Sequence, residues 1–331
     1  MENYYFSIID KIKISLLFLT SLIVTACSDI IEEDISNETV QVIIPQSNAT
    51  LTTNNVHFKW EKLKGADSYR LRVVEPSFSS INTYILDSSV ANTEFYYVLD
   101  PGDYEFMIRA ENSAYETGYT GPIPFTVDSV SDLTGQLIPL LAPANNYYSN
   151  LSDLPLSWQS IYAAETYEVQ VRSGADFNSS ATILFTATGL TGTSVTTTGS
   201  VFTNEGEYSW GVKAVNQSSQ SSFSSRTIYI DKTVPNDVSL TAPADASTSS
   251  SDTVVFYWSS GVDPGTINSP LSYKLELDND PAFSSFSEYT TTVDSLQLIL
   301  STGTYYWRVY AIDEAGNQSV FYSSEYSVII P

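Results

Sequence analysis

Three tryptophans, Trp60, Trp158 and Trp258, recur at intervals of 98 and 100 residues, and each ends a stretch of alternating apolar and polar residues. Val56, Phe58 and Trp60 fall on one side, His57 and Lys59 on the other. Leu154, Leu156 and Trp158 repeat the pattern, as do Val254, Phe256 and Trp258. A period of two sends successive side chains to opposite faces, so each run reads as a half-buried strand. Self-similarity at domain-sized spacing makes the chain a tandem array, which narrows the fold more than any compositional figure.

A second alternating run follows each Trp: Tyr69, Leu71 and Val73; Tyr167, Val169 and Val171; Tyr273, Leu275 and Leu277. The Trp-to-Tyr spacing is 9, 9 and 15, so the third copy carries a six-residue insertion within 261–270. The pattern Gly-x-Tyr-x-aromatic-x-aliphatic-x-Ala then occupies 102–110, 206–214 and 303–311, placing Tyr104, Tyr208 and Tyr305 in register. A closing strand ends each copy, with Ile123, Phe125 and Val127, with Ile228 and Ile230, and with Tyr326, Val328 and Ile330. No segment of helical period with a capping pattern follows residue 40. Short alternating strands separated by Gly, Pro, Asn and Asp turns predict an all-β chain of three tandem antiparallel β-sandwiches. The copies span 40–128, 136–231 and 232–331. Each has its own core, around Trp60, Tyr69 and Tyr104, around Trp158, Tyr167 and Tyr208, and around Trp258, Tyr273 and Tyr305. Short linkers, the second holding Pro235, predict a semi-extended rod of three beads.

Trp on the second strand, Tyr on the third and the Gly-x-Tyr pattern near the end resemble fibronectin type III domains. Immunoglobulin domains instead set Trp beside a disulfide, and this chain has a single Cys. The resemblance implies a fibronectin type III or Ig-like sandwich and says little about activity, since sandwiches host many functions.

The N-terminus reads as an address. Lys11 and Lys13 precede a 13-residue apolar run, 14–26, which is short for a bilayer-spanning helix and fits a signal peptide. It ends in Val24-Thr25-Ala26-Cys27, which resembles a bacterial lipobox. That likeness implies cleavage after 1–26 and acylation of Cys27, with membrane attachment through several acyl chains. Asp29, Glu32, Glu33 and Asp34 follow in an acidic tether, 27–39, similar to the export signal of Bacteroidota surface lipoproteins. It implies a lipid-anchored outer-membrane protein facing the cell exterior.

Fourteen Lys and Arg stand against 38 Asp and Glu, a formal charge of −24. Nucleic acid is excluded as a partner, because a phosphate backbone needs a basic footprint. One Cys and one His leave no cysteine zinc cage and no multi-histidine metal site. His57 lies opposite Trp60 with no nucleophile elbow near it, and no phosphate loop is present. Nothing singles out a carboxylate pair across a cleft, so the chain is expected not to be an enzyme and to need no cofactor. Calcium is the candidate exception. Asp231, Asp237, Asp278, Asp280 and Asp313 place oxygen ligands in turns and in the second linker. The linker and the Asp313 turn resemble those of bacterial surface Ig-like repeats. Tyr115, Tyr119, Tyr147 and Tyr148, in segments read as loops, form a candidate platform for stacking on sugar rings.

These features predict a cell-surface lipoprotein acting as a modular spacer, adhesion or interaction rod. The alternative is a glycan-binding accessory of a polysaccharide-uptake system. A third reading, a scaffold subunit, predicts an open strand edge available to a partner. The protein or glycan partner and the oligomeric state stay open at the level of sequence.

Overall fold

A computed structural model of the chain describes residues 32–319 and 322–331. The signal run 1–26, Cys27 and the first residues of the tether lie outside the described residues. The chain divides between Val130 and Ser131 into two compact units, the first holding one sandwich and the second holding two.

Among the described residues no helix forms, and each copy contributes eight strands. In the first unit these are β1 (Val42–Ile44), β2 (Ala49–Leu51), β3 (Asn55–Trp60), β4 (Ser68–Ser77), β5 (Ser80–Val90), β6 (Glu94–Val98), β7 (Gly102–Glu111) and β8 (Ile123–Val127). The second copy runs through β9 (Leu140–Ala142), β10 (Tyr147–Ser149), β11 (Pro155–Trp158), β12 (Thr166–Ser173), β13 (Ile183–Leu190), β14 (Ser194–Thr196), β15 (Gly206–Val215) and β16 (Ser224–Ile230). The third runs through β17 (Leu240–Ala242), β18 (Ser247–Thr248), β19 (Thr253–Trp258), β20 (Leu271–Asp278), β21 (Ser287–Thr291), β22 (Ser295–Ile299), β23 (Gly303–Asp313) and β24 (Tyr326–Ile330).

Every copy is a three-stranded sheet facing a five-stranded one. The orders are β1-β3-β6 over β2-β8-β7-β4-β5, β9-β11-β14 over β10-β16-β15-β12-β13, and β17-β19-β22 over β18-β24-β23-β20-β21. The main ladders are antiparallel, as expected. The exception is one short parallel pair per copy: β2 with β8, β10 with β16, and β18 with β24. The first strand is split, its first half serving the small sheet and its second half crossing to the large one. Asn48, Asn146 and Ala246, all with φ near +60°, sit in the turn between the halves.

The alternation read from sequence is the inside–outside alternation of the sandwich. Trp60, Trp158 and Trp258 are buried, and each packs on the Tyr of the next long strand, Tyr69, Tyr167 or Tyr273, with ring centres 5.3, 5.5 and 5.7 Å apart at the same 60° tilt. Those three hydroxyls accept from the backbone N–H of Leu63, Ile161 and Gly261. In the third copy the inserted residues therefore loop out between Gly261 and Tyr273 and leave the contact intact. Tyr104 and Tyr208, also buried, donate back to the carbonyls of Asp100 and Asn204. Tyr305 is buried and meets Ser301 Oγ at 2.9 Å.

The outward face of each large sheet holds cations against aromatic rings. Arg72 and Arg109 flank the Tyr119 ring at 4.8 and 4.9 Å. Arg172 lies over Phe177 and Lys213 over Phe223. Arg308 sits between Phe283 and Tyr322 at 4.1 and 4.0 Å and pairs with Glu276. An acidic chain thus spends much of its scarce positive charge on its own sheet faces, where ring quadrupoles and carboxylates both hold it.

From residue 32 the acidic tether is docked on the first sandwich. Ile35 is 1% exposed within the core, and Glu33 pairs with Lys64 at 2.8 Å. Leu133, read as linker, is likewise buried in the second core. Burial of one apolar side chain in an otherwise polar segment is enough to hold it down.

Candidate metal centre between the second and third sandwiches

The chain enters each sandwich under the same clamp. Asn112, Asn216 and Asn317, in the turn after β7, β15 and β23, donate through Nδ2 to the carbonyls of Glu33, Ser131 and Asp231. In the first two copies the residue two further on, Ile35 or Leu133, plugs the end of the core. In the third, that position is Thr233, and polar chemistry replaces the plug.

Two departures of the third copy build the site. The insertion contributes Asp263 and Ser269. The turn after β23 is longer, with Asn317 six positions beyond Ala311 where Asn112 is two positions beyond Ala110, and it contributes Asp313. The linker contributes Asp231. These three carboxylates offer oxygens within 4.8 Å of one another, at exposures of 0% for Asp231, 8% for Asp263 and 4% for Asp313.

Their hydrogen bonds are all to uncharged donors. Asp231 accepts from Ser269 Oγ at 2.5 Å and Thr233 N at 3.1 Å. Asp263 accepts from Ser269 N at 2.8 Å, and Asp313 from Asn317 N and Nδ2 at 2.7 and 2.8 Å. Among the described residues no ion pair involves the trio. Lys232, next in sequence to Asp231, turns its Nζ to Asn150 O and Ser152 Oγ instead. Burial without a counter-charge pushes the Asp231 carboxyl up to about 6, and the neighbouring Asp263 charge adds to the rise, while its bonds to Ser269 and Thr233 oppose it.

Both sandwiches hold the site. Glu205 of the second copy accepts from Thr233 Oγ1 at 2.8 Å and from Ile267 N at 2.9 Å, and Asn150 donates to Asn317 Oδ1 at 3.2 Å. Clustered anionic oxygens with nearby amide and hydroxyl oxygens suit a hard divalent cation, calcium before magnesium, because flexible turn ligands tolerate calcium's irregular shell.

Of the residues proposed from sequence for calcium, Asp231 and Asp313 meet. Asp237 is exposed and outside the trio. Asp278 and Asp280 cap their own turn instead: Asp278 accepts from Asp280 N and Ser285 N, and Asp280 from Ala282 N and Ser284 Oγ. Asp263 escaped the sequence reading, although it lies in the insertion that the Trp-to-Tyr spacing had marked.

The tyrosine platform does not assemble as read. Tyr119 is held between the two arginines with its hydroxyl buried, and Tyr148 stacks on Tyr229 at 5.0 Å. Tyr147 and Tyr148 lie on β10, not in a loop, because the split first strand extends through them. Tyr115 and Tyr147 remain exposed, one in each unit. His57 stacks on Tyr96 at 4.2 Å and meets Glu94 at 3.1 Å, with no nucleophile joining them among the described contacts. A hollow of about 790 Å³ in the second unit is lined by turn residues, among them Asp132, Thr134, Asn216 and Ser219, with one carboxylate.

No protein-family model matches the chain, and no curated protein matches it. Among solved structures it is similar to the FN1-FN3 domains of chicken CNTN1, at 17% identity and a TM-score of 0.37, covering 88% of this chain and 98% of that one. That likeness is loose, and the architecture rests on the strand order described above.

Proposed function

We propose that the chain is a non-enzymatic, lipid-anchored cell-surface protein that works as a modular spacer or adhesion element, with calcium holding its second and third sandwiches together. The observation that carries this reading is the use made of its chemistry. Aromatic hydroxyls, carboxylates and cations serve cores, sheet faces and the clamp at each sandwich, and the one convergent buried carboxylate cluster among the described residues joins two modules. A cation there supplies the charge that the trio lacks and fixes a pair of domains, a mechanical role. The lone Cys27 behind an apolar run supports the anchor, and the excess of acidic residues favours solubility and disfavours contact with anionic head groups.

Expression of the wild-type chain and of Cys27→Ser in a lipoprotein-processing bacterium tests the anchor. Wild type is expected in the membrane fraction and open to protease on intact cells, and the variant in the soluble fraction. A variant that still partitions with membranes refutes the lipid attachment.

A further inference from the structure

In a chain of 331 residues with 52 charged ones, the segment 177–204 contains none. It builds one flank of the second sandwich. β13 is the free edge of the large sheet and β14 the free edge of the small one, joined directly by 191–193, while β9 and β16 meet on the opposite flank. The corresponding flanks elsewhere carry charge: Asp87 on β5 and Glu94 on β6 in the first copy, Glu288 on β21 in the third.

β13 is eight residues long and holds no Lys, Glu, Asp or Pro, the residues that commonly protect a sheet edge. Register shifts bracket a regular stretch, Val169–Ala187, Gln170–Thr186 and Val171–Phe185, so the cleanly extendable ladder is centred on Thr186. Ile183 and Leu184 beside it are 49% and 40% exposed.

We propose that this flank pairs with the same flank of a second copy, β13 to β13, about a two-fold axis at Thr186. Two observations select a second copy as the occupant. A partner of opposite charge would seek the acidic surface, whereas a partner as acidic as this chain, at −24, is repelled everywhere except where charge is absent. An antiparallel edge is also self-complementary, since its unpaired N–H and C=O groups match those of its own rotated image. Rotation about Thr186 sets Phe185 opposite Ala187 of the partner copy within the regular stretch.

Sedimentation velocity on residues 28–331, which carry all three cores, tests the pairing. Wild type is expected to shift from monomer to dimer with concentration, and more readily as salt rises, because salt screens the repulsion between two acidic chains. Thr186→Lys and Thr186→Glu each put like charges face to face at the axis and are expected to weaken pairing several-fold with the melting midpoint unchanged. Mixing the two variants restores it as a heterodimer. A chain monomeric at every concentration overturns the proposal. So does a dimer that both variants leave intact, that salt weakens, or that the mixture fails to restore.

Discussion

Trp158 shows how a residue can be both indispensable and imperfectly satisfied. It is 1% exposed against Tyr167, yet its indole N–H has no hydrogen-bond partner, and the same holds for Trp60 and Trp258. Trp158→Ala is expected to cost about 3–5 kcal/mol in chemical denaturation of the second unit. Trp158→Phe should cost clearly less, because it also removes an unsatisfied donor; equal losses would show that the indole shape, not buried area, dominates. Asp231 offers a second residue-scale test. Its carboxyl is raised from 3.8 to about 6, so between about pH 4 and 6 the folded state binds more protons than the unfolded. Stability from this group is therefore present at low pH and lost as pH rises through about 6. In chelator, the difference between wild type and Asp231→Asn should move in the variant's favour over that window and level off above it, read by melting midpoints. A difference that is flat with pH would mean that Asp231 is not the titrating group.

The turns, more than the strands, differentiate the three copies. The ladders follow from alternation that any copy shares, whereas the insertion and the longer turn after β23 exist only in the third. Gly265 in the insertion is a position without room. A Cβ there would run into Glu205 Oε1 and lie 3.0 Å from the Ile267 carbonyl and from Thr233 Cβ. Gly265→Ala is expected to loosen the junction while sparing both cores, seen as faster amide exchange at Ile267 and an unchanged cooperative melt of the third sandwich. Unaltered exchange would show that Glu205 simply swings away. The repeat patterns of Trp, Tyr and Gly were legible because they obey a period of two. The asparagine clamp at Asn112, Asn216 and Asn317 was not, because its partners stand 79 to 86 residues away and no local period records them.

Across the molecule, the acidic junction predicts a calcium response confined to the second unit. Millimolar calcium is expected to raise the melting midpoint of the second and third sandwiches relative to chelator and to leave the first unit unmoved, followed by differential scanning calorimetry. Asp263→Asn and Asp313→Asn should each abolish the gain. Identical traces in calcium and chelator would remove the cation from the junction. Magnesium should give a smaller shift, since it dehydrates reluctantly and demands a stricter shell.

Sequence by itself determined the sandwich and its threefold repetition, since side-chain alternation is local and each buried ring announces its own strand. Only the tertiary structure decided that Ile35 and Leu133 are core rather than tether and linker, that Tyr119 is clasped by arginines, and that Asp263 joins Asp231 and Asp313. The physical reason is the same in each case: these groups meet across long loops, and distance in space between such residues is set by how the sheets pack, not by any spacing along the chain.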